Sequence, residues 1–197
     1  LVRNKEWSGW CPTHMLSTKV TGKKLGFIGF GRIAQAVAQK AHFGFGMETS
    51  FYDPYPPSDE IIKKFSAKKF DTLEEVLVDS DFITLHCPGG GSNTNLMNKD
   101  RFALMKESAF LINTARGDVV DEAALVQALK DDVIAGAGLD VYAKEPTVTE
   151  ELLSMNNVVL IPHLGSATTE TRVAMGLRSL ANVKAFFDGK EPGDRVA

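Results

Sequence analysis

Leu25-Gly26-Phe27-Ile28-Gly29-Phe30-Gly31-Arg32-Ile33-Ala34 decides the fold of this 197-residue chain. Its first four residues read as a buried strand, and Ile33, Ala34, Val37, Ala38 and Ala41 then recur at helical spacing until Gly44 and Gly46 stop the helix. A G-x-G-x-x-A pattern therefore falls where a strand gives way to a helix. Gly29 permits the tight turn, Gly31 lets backbone approach a pyrophosphate with no side chain between, and Ala34 lets helix and strand pack closely. The N–H groups of Arg32 and Ile33 belong to a helix's unsatisfied first turn, whose dipole favours an anion, and are expected to face the phosphates.

Outward from this stretch, short β-rich runs alternate with helical patterns, the signature of a parallel sheet covered on both faces. Strands are predicted at 48–52, 81–86, 110–113, 133–139 and 158–161. Asp53-Pro54-Tyr55-Pro56-Pro57 ends the second strand because proline removes a backbone donor, and Ser58 is positioned to cap a short helix. Thr72-Leu73-Glu74-Glu75 is a capping-box pattern that opens a helix through Val78. Residues 121–129 read as a helix with an acidic start, and 168–188 as one long amphipathic helix. The fold class is α/β, a doubly wound parallel sheet of Rossmann type: 1–23 leads in, 24–167 forms the dinucleotide-binding domain, and 168–197 is a C-terminal helix and return segment.

Asp53 lies about 20 residues beyond Gly31, at the end of the second strand, where a carboxylate can accept hydrogen bonds from the adenosine ribose hydroxyls. The same carboxylate repels a 2'-phosphate, so NAD is the expected cofactor rather than NADP.

Composition narrows the function classes. A formal charge of -3 with dispersed Lys and Arg gives no footprint for nucleic acid. No apolar run approaches the ~18 residues of a membrane span, and the start has no signal-peptide pattern. Cys11 and Cys87 stand in no metal-ligand spacing, so no metal is expected and the reading is cytoplasmic. The absence of an initiator Met suggests a fragment.

The remaining motifs resemble the D-isomer-specific 2-hydroxyacid dehydrogenases over nearly the whole chain. Trp10-Cys11-Pro12-Thr13 ahead of the glycine motif resembles that family's entry into its cofactor domain, and Asp81-Phe82-Ile83-Thr84-Leu85-His86-Cys87-Pro88 the strand and loop beside the cofactor. In Asn113-Thr114-Ala115-Arg116-Gly117-Asp118-Val119-Val120-Asp121, Arg116 matches the arginine that binds the substrate carboxylate and carbonyl oxygen. Ala137-Gly138-Leu139-Asp140-Val141-Tyr142 puts Asp140 near the nicotinamide carboxamide. Glu145-Pro146 matches the acidic partner of the catalytic histidine, and Pro162-His163-Leu164-Gly165-Ser166-Ala167-Thr168 supplies that histidine as His163. Singly, each has an ordinary structural reading: a surface arginine, a loop acid, a satisfied histidine. Their order argues otherwise, because each sits beyond the end of a predicted strand, the edge where open α/β sheets bind ligands. After Pro88 the family commonly has a Leu-Thr-Pro-Glu-Thr type of segment, whereas this chain has Gly89-Gly90-Gly91-Ser92-Asn93.

The resemblance implies hydride transfer between NAD(H) and C2 of a small 2-hydroxy or 2-oxo acid. Arg116 clamps the substrate, His163 exchanges the proton, and Glu145 favours the charged imidazole. Cofactor contacts are expected from Gly29, Gly31, Arg32, Ile33, Asp53, Cys87, Pro88, Thr114, Ala115, Arg116, Asp140, His163 and Gly165. Family members generally open with a substrate-domain segment of roughly one hundred residues and dimerise through the cofactor domain. On that reading the N-terminal substrate-domain segment is absent here, the chain binds NAD without being catalytically complete, and Trp7 and Trp10 are core or dimer anchors. His42 and His86 read as a helix-terminal and a satisfied buried histidine. A reading from another class is an NAD-sensing corepressor-like scaffold, which turnover of glyoxylate or hydroxypyruvate would separate from the enzyme.

Overall fold

The structure, a computed structural model, describes residues 1–195. Among these, β1 (Lys24–Ile28), β2 (Glu48–Tyr52), β3 (Ala67–Lys69), β4 (Phe82–Leu85), β5 (Phe110–Asn113), β6 (Gly136–Leu139) and β7 (Val158–Leu160) form one sheet. The strand order is β3-β2-β1-β4-β5-β6-β7 and every pairing is parallel. Helices α1 (Arg32–Gln39), α2 (Asp59–Lys64), α3 (Leu73–Asp79), α4 (Lys99–Phe102), α5 (Glu122–Lys130), α6 (Glu150–Leu153) and α7 (Thr169–Phe187) connect and follow them. The chain direction of strand addition reverses between β1 and β4, and a crevice opens beyond the strand ends at such a switch point.

Two apolar clusters sandwich the sheet because β1 is buried on both faces. Leu25 and Phe27 join Ala34, Ala38 and Ala41 on one side, where the small residues of α1 and its continuation let the helix lie close to the strands. Ile28 faces the other side with Leu77, Ile83, Leu111 and Leu125. Phe30, directly after β1, stacks on Phe51 at 4.1 Å between ring centroids and anchors the glycine turn in the core.

Several local readings change in the structure. The helix begun by α1 continues as a wider turn over Lys40–Gly44 before Gly46 ends it. β3 was not expected; it pairs with Thr49, Ser50 and Phe51, but of its residues only Ala67 is buried, so its composition carries no strand signal. The strand predicted at 133–139 starts at Gly136, because the Val133 N–H closes α5 by donating to the Ala128 carbonyl instead. Ser58 occupies the cap position of α2 without a side-chain hydrogen bond, and Asp59 and Glu60 meet the helix dipole there. The Thr72–Glu75 capping box forms on α3, and Asp121 and Thr168 cap α5 and α7.

Helix α7 has the expected length, yet none of its residues is buried and the row Val173, Leu177, Leu180 and Val183 is exposed. After it, Asp194 accepts from Arg178 Nε and Nη2 at 2.5 and 2.6 Å and from Asn182 Nδ2 at 2.7 Å, folding the tail back along the helix. The last two residues of the expected return segment, 196–197, lie outside the described residues. Trp7 and Trp10 are 56 % and 83 % exposed, so neither is a core anchor.

Candidate active site

The crevice between the ends of β1 and β4 is a cleft of about 700 Å³ lined by Gly29, Gly31, Asp53, His86, Cys87 and Pro88 among others. Gly29 has φ +88°, and a Cβ there would stand 2.9 Å from the backbone of His86 and Cys87, so turn and close approach both require glycine. Gly31 is different: its φ is -73° and a Cβ would meet nothing within 4 Å. Neither backbone nor packing needs glycine there, so the missing side chain serves whatever enters the cleft. Gly31 also occupies the cap position of α1 without offering a side-chain acceptor to the first-turn N–H groups, which leaves them available to an anion. These features fit a dinucleotide pyrophosphate.

Asp53 Oδ2 accepts the Phe30 N–H at 2.7 Å and Oδ1 accepts the Tyr55 N–H at 2.8 Å. The carboxylate thus braces the glycine turn, while its remaining acceptor capacity faces the cleft. Gln35 Nε2 braces the same turn from the helix side by donating to the Phe30 carbonyl at 2.9 Å. Arg32 and Ile33 begin α1 as expected, with the Ile33 side chain exposed outside the cleft lining.

His86 shares a hydrogen bond between Nε2 and Thr84 Oγ1 at 3.0 Å and lies against Phe27. Burial lowers its pKa from 6.5 to about 4, so it is neutral at pH 7. Because the folded value is depressed, stability is full above pH 6.5 and falls as pH drops towards 4. His86→Gln should remove up to about 3 kcal/mol of the stability lost between pH 7 and pH 4. Urea unfolding at both pH values, with parallel losses in the two proteins as the contrary result, checks this.

Across the sheet edge, Asn113 is buried at the end of β5 and staples the next turn: its Oδ1 accepts the Ala115 N–H at 3.0 Å and its Nδ2 donates to the Arg116 carbonyl at 2.9 Å. The Arg116 side chain is exposed beside Thr114, its Nη1 donating to the Ala115 carbonyl at 2.6 Å. Gly117 then presses on the chain after β6, where a Cβ would fall inside the Tyr142 carbonyl group. Gly117→Ala should destabilise the fold by about 1–3 kcal/mol through overpacking and displace the Arg116 turn. An unfolding midpoint unchanged from the parent would contradict that contact.

Glu145 accepts the Tyr142 N–H on Oε1 at 3.1 Å and bonds His163 Nδ1 through Oε2 at 2.8 Å. The histidine bond, first, and the Tyr142 N–H hold the Glu145 carboxyl below its usual range, with Arg116 near enough for its charge to contribute. An ionised carboxylate only accepts, so Nδ1 carries the proton and Nε2, without a partner among the described residues, points the remaining ring nitrogen outward. His163 sits at φ +53°, an unfavourable region for a residue with a side chain. Asp140 holds it there: its carbonyl accepts the His163 N–H at 3.0 Å, and its carboxylate accepts the N–H groups of Leu164 and Gly165 at 2.5 and 2.8 Å. Asp140 is 2 % exposed, so the bonds it is seen to make serve the histidine loop. Tyr142 donates its hydroxyl to the Ile161 carbonyl at 2.9 Å, tying the Glu145 loop to the strand that delivers His163. Behind this pair lies an apolar cavity of about 320 Å³ walled by Pro146, Val148, Leu160 and Ile161.

The structure therefore gathers Gly29, Gly31, Asp53, Cys87 and Pro88 into one cleft, and pairs Glu145 with His163 near Arg116, all beyond the same strand ends. Sequence reasoning gave no role to Asn113, Gln35 or the Tyr142 hydroxyl. An Asn that closes a strand just before a candidate arginine was the one available signal. Among the described residues, no group of three or more His, Cys, Asp or Glu could hold a metal, and no helix is long and apolar enough to cross a membrane.

With this geometry in place, residues 1–165 match the model of the family described as D-isomer specific 2-hydroxyacid dehydrogenase, NAD binding domain. The chain belongs to that family. It is 45 % identical over 195 residues to a glyoxylate reductase of Pyrococcus furiosus, covering 97 % of this chain and 57 % of that protein. It is 44 % identical to a glyoxylate/hydroxypyruvate reductase B of Erwinia tasmaniensis, covering 96 % of this chain and 59 % of the relative. Among solved structures it resembles an NADPH-dependent glyoxylate/hydroxypyruvate reductase of Sinorhizobium meliloti in complex with NADP and malonate, with a TM-score of 0.90 and 36 % identity over 100 % of this chain and 60 % of that one. A D-lactate dehydrogenase with NAD+ from Lactobacillus jensenii gives a TM-score of 0.84 at 33 % identity, covering 95 % and 59 % of the two chains. This 2-hydroxyacid dehydrogenase domain thus spans less than two thirds of the length of these relatives.

Proposed function

We propose that this domain serves an NAD-dependent oxidoreductase of D-2-hydroxy acids and 2-oxo acids, with Arg116, Glu145 and His163 as its catalytic residues. The observation that carries the reading is the Glu145–His163 hydrogen bond, set beyond the same strand ends as the Gly31 cleft. Bound NADH would supply the hydride for C2 of the substrate, and the chain's own residues manage binding and the proton. Arg116 holds the substrate carboxylate and keto oxygen by charge-assisted hydrogen bonds and stabilises negative charge developing on that oxygen. His163 donates its Nε2 proton to the same oxygen in reduction and takes it back in oxidation, while Glu145 fixes the ring and favours its charged form.

When bound, the cofactor would be held by Gly29, Gly31, Arg32, Ile33, Asp53, Cys87, Pro88, Thr114, Ala115, Arg116, Asp140, His163 and Gly165. Glyoxylate and hydroxypyruvate, named in the relatives' activities, are the first substrates to test. Residues 24–167 are read as the NAD-binding domain, 1–23 as its lead-in and 168–197 as a C-terminal helix and return segment. The exposure of Arg116 and His163 supports a second body of protein closing over them, so this chain alone should bind NADH with turnover near background. Two free cysteines support a cytoplasmic setting, and exposed Trp7 and Trp10 support a homodimer through this domain. The test is oxidation of NADH by the whole protein with each 2-oxo acid; tight NADH binding without turnover on any of them would sink the proposal.

A further inference from the structure

Asp118 lines neither the cofactor cleft nor the Glu145–His163 pair, yet it ties the loop after β4 to the turn that carries Arg116. Its Oδ2 accepts the Gly90 N–H at 2.6 Å, and its carbonyl accepts the Asn95 N–H at 2.8 Å. One step further along, the Met97 N–H donates to the Val119 carbonyl at 2.9 Å. The two segments are laced together along their length. The tightest approach is at Gly89, where a Cβ would collide with Asp118 Oδ1 and stand 3.0 and 3.1 Å from Cβ and Cγ of Arg116. Gly90 and Gly91 differ, since a Cβ at either meets nothing within 4 Å and their φ values of +76° and +55° alone explain glycine.

Gly89 is thus the floor beneath the aliphatic stem of Arg116, and the bond from Gly90 to Asp118 keeps that floor in place. The guanidinium itself is held only at one point, Nη1 donating to the neighbouring Ala115 carbonyl at 2.6 Å, whereas a guanidinium that must meet a carboxylate through two hydrogen bonds needs its stem fixed. A displacement of about 1 Å in such a group can lower rates on the order of 10²-fold.

We propose that Asp118 is a positioning residue for Arg116, acting through its hydrogen bond to the Gly90 N–H and the resulting seat of Gly89 under the arginine stem. This rests on the reading of Arg116 as the substrate clamp. It also gives the Gly89-Gly90-Gly91 segment a role in substrate affinity that its lack of side chains conceals.

Asp118→Ala in the whole protein should raise KM for glyoxylate by about tenfold or more, with a smaller change in kcat and in NADH affinity. Asp118→Asn retains an oxygen acceptor for the Gly90 N–H and should restore most of the lost affinity. Gly89→Ala should reproduce the effect of Asp118→Ala from the opposite side of the contact and serves as the second variant if Asp118→Ala unfolds. In this chain, the Arg116 Nε–Hε NMR signal should shift and broaden in Asp118→Ala and remain near its parent position in Asp118→Asn. If Arg116→Ala raises KM while Asp118→Ala and Gly89→Ala leave both KM and the Arg116 signal unchanged, the positioning role is overturned and the clamp stands. An Asn variant that behaves as the Ala variant also overturns it, because charge rather than the hydrogen bond would then be responsible. If Arg116→Ala itself leaves glyoxylate kinetics intact, the clamp reading fails, and the Arg116 signal alone decides whether Asp118 seats the side chain.

Discussion

His163→Ala should lower kcat for glyoxylate reduction by the whole protein by about 10² or more while NADH still binds, the usual scale for a positioned acid-base group. The size of the effect follows from geometry: Nδ1 is engaged by Glu145 at 2.8 Å, so Nε2 is the ring atom left to reach a substrate oxygen. Glu145→Gln should act on the pH profile. The Glu145 carboxyl lies below its usual range, chiefly through the His163 bond, and so remains ionised across the acid side of neutrality. Glu145→Gln takes away the ionised partner of Nδ1, so the pH profile of kcat should change with it. Steady-state rates from about pH 5 to 9 provide the check, and an unchanged profile in the Gln variant would mean that the pair does not act together.

The second large effect concerns the choice of nicotinamide cofactor. NADH should bind this chain about ten- to a hundredfold more tightly than NADPH, because a 2'-phosphate would meet the Asp53 carboxylate at a cost of about 1–3 kcal/mol. Asp53→Arg should narrow or reverse that ratio, but it also removes the acceptor of the Phe30 N–H, so absolute affinities should fall for both cofactors. Asp53→Asn removes the charge at a smaller structural cost, since it keeps an oxygen for the Phe30 N–H while its amide nitrogen takes the place of the acceptor of the Tyr55 N–H. Equal affinities for NADH and NADPH in the unmodified chain, measured by calorimetry, would remove Asp53 from its assigned place at the ribose.

Much of this was legible in the sequence where the physics is local. The turn at Gly29 and the spacing of small residues in α1 are visible in the local pattern, though the close approach of His86 and Cys87 to Gly29 is not, and the buried runs of β1, β2 and β5 stand out by composition. β3 escaped notice because Ala67-Lys68-Lys69 is held by pairing with β2 rather than by burial. The candidate site residues were proposed from motifs and from their position after predicted strands. What held them was not visible: Asp140 grips the N–H groups of Leu164 and Gly165, Tyr142 reaches Ile161, and Asp118 reaches Gly90, each joining loops distant in sequence. Asp53 and Asp140 illustrate the consequence, because both were assigned only to the cofactor and both are seen to brace backbone N–H groups.

Gly31 offers the most direct test of the central claim that this cleft is a dinucleotide site. A Cβ there meets nothing, so Gly31→Val should leave thermal unfolding of the chain nearly unchanged while placing a side chain where the pyrophosphate approaches the backbone. Calorimetric titration of NADH into the parent chain should show saturable binding, and the valine variant should bind at least about thirtyfold more weakly, roughly 2 kcal/mol. A folded Gly31→Val chain that binds NADH as tightly as the parent, or a parent chain that does not bind it, would contradict the account.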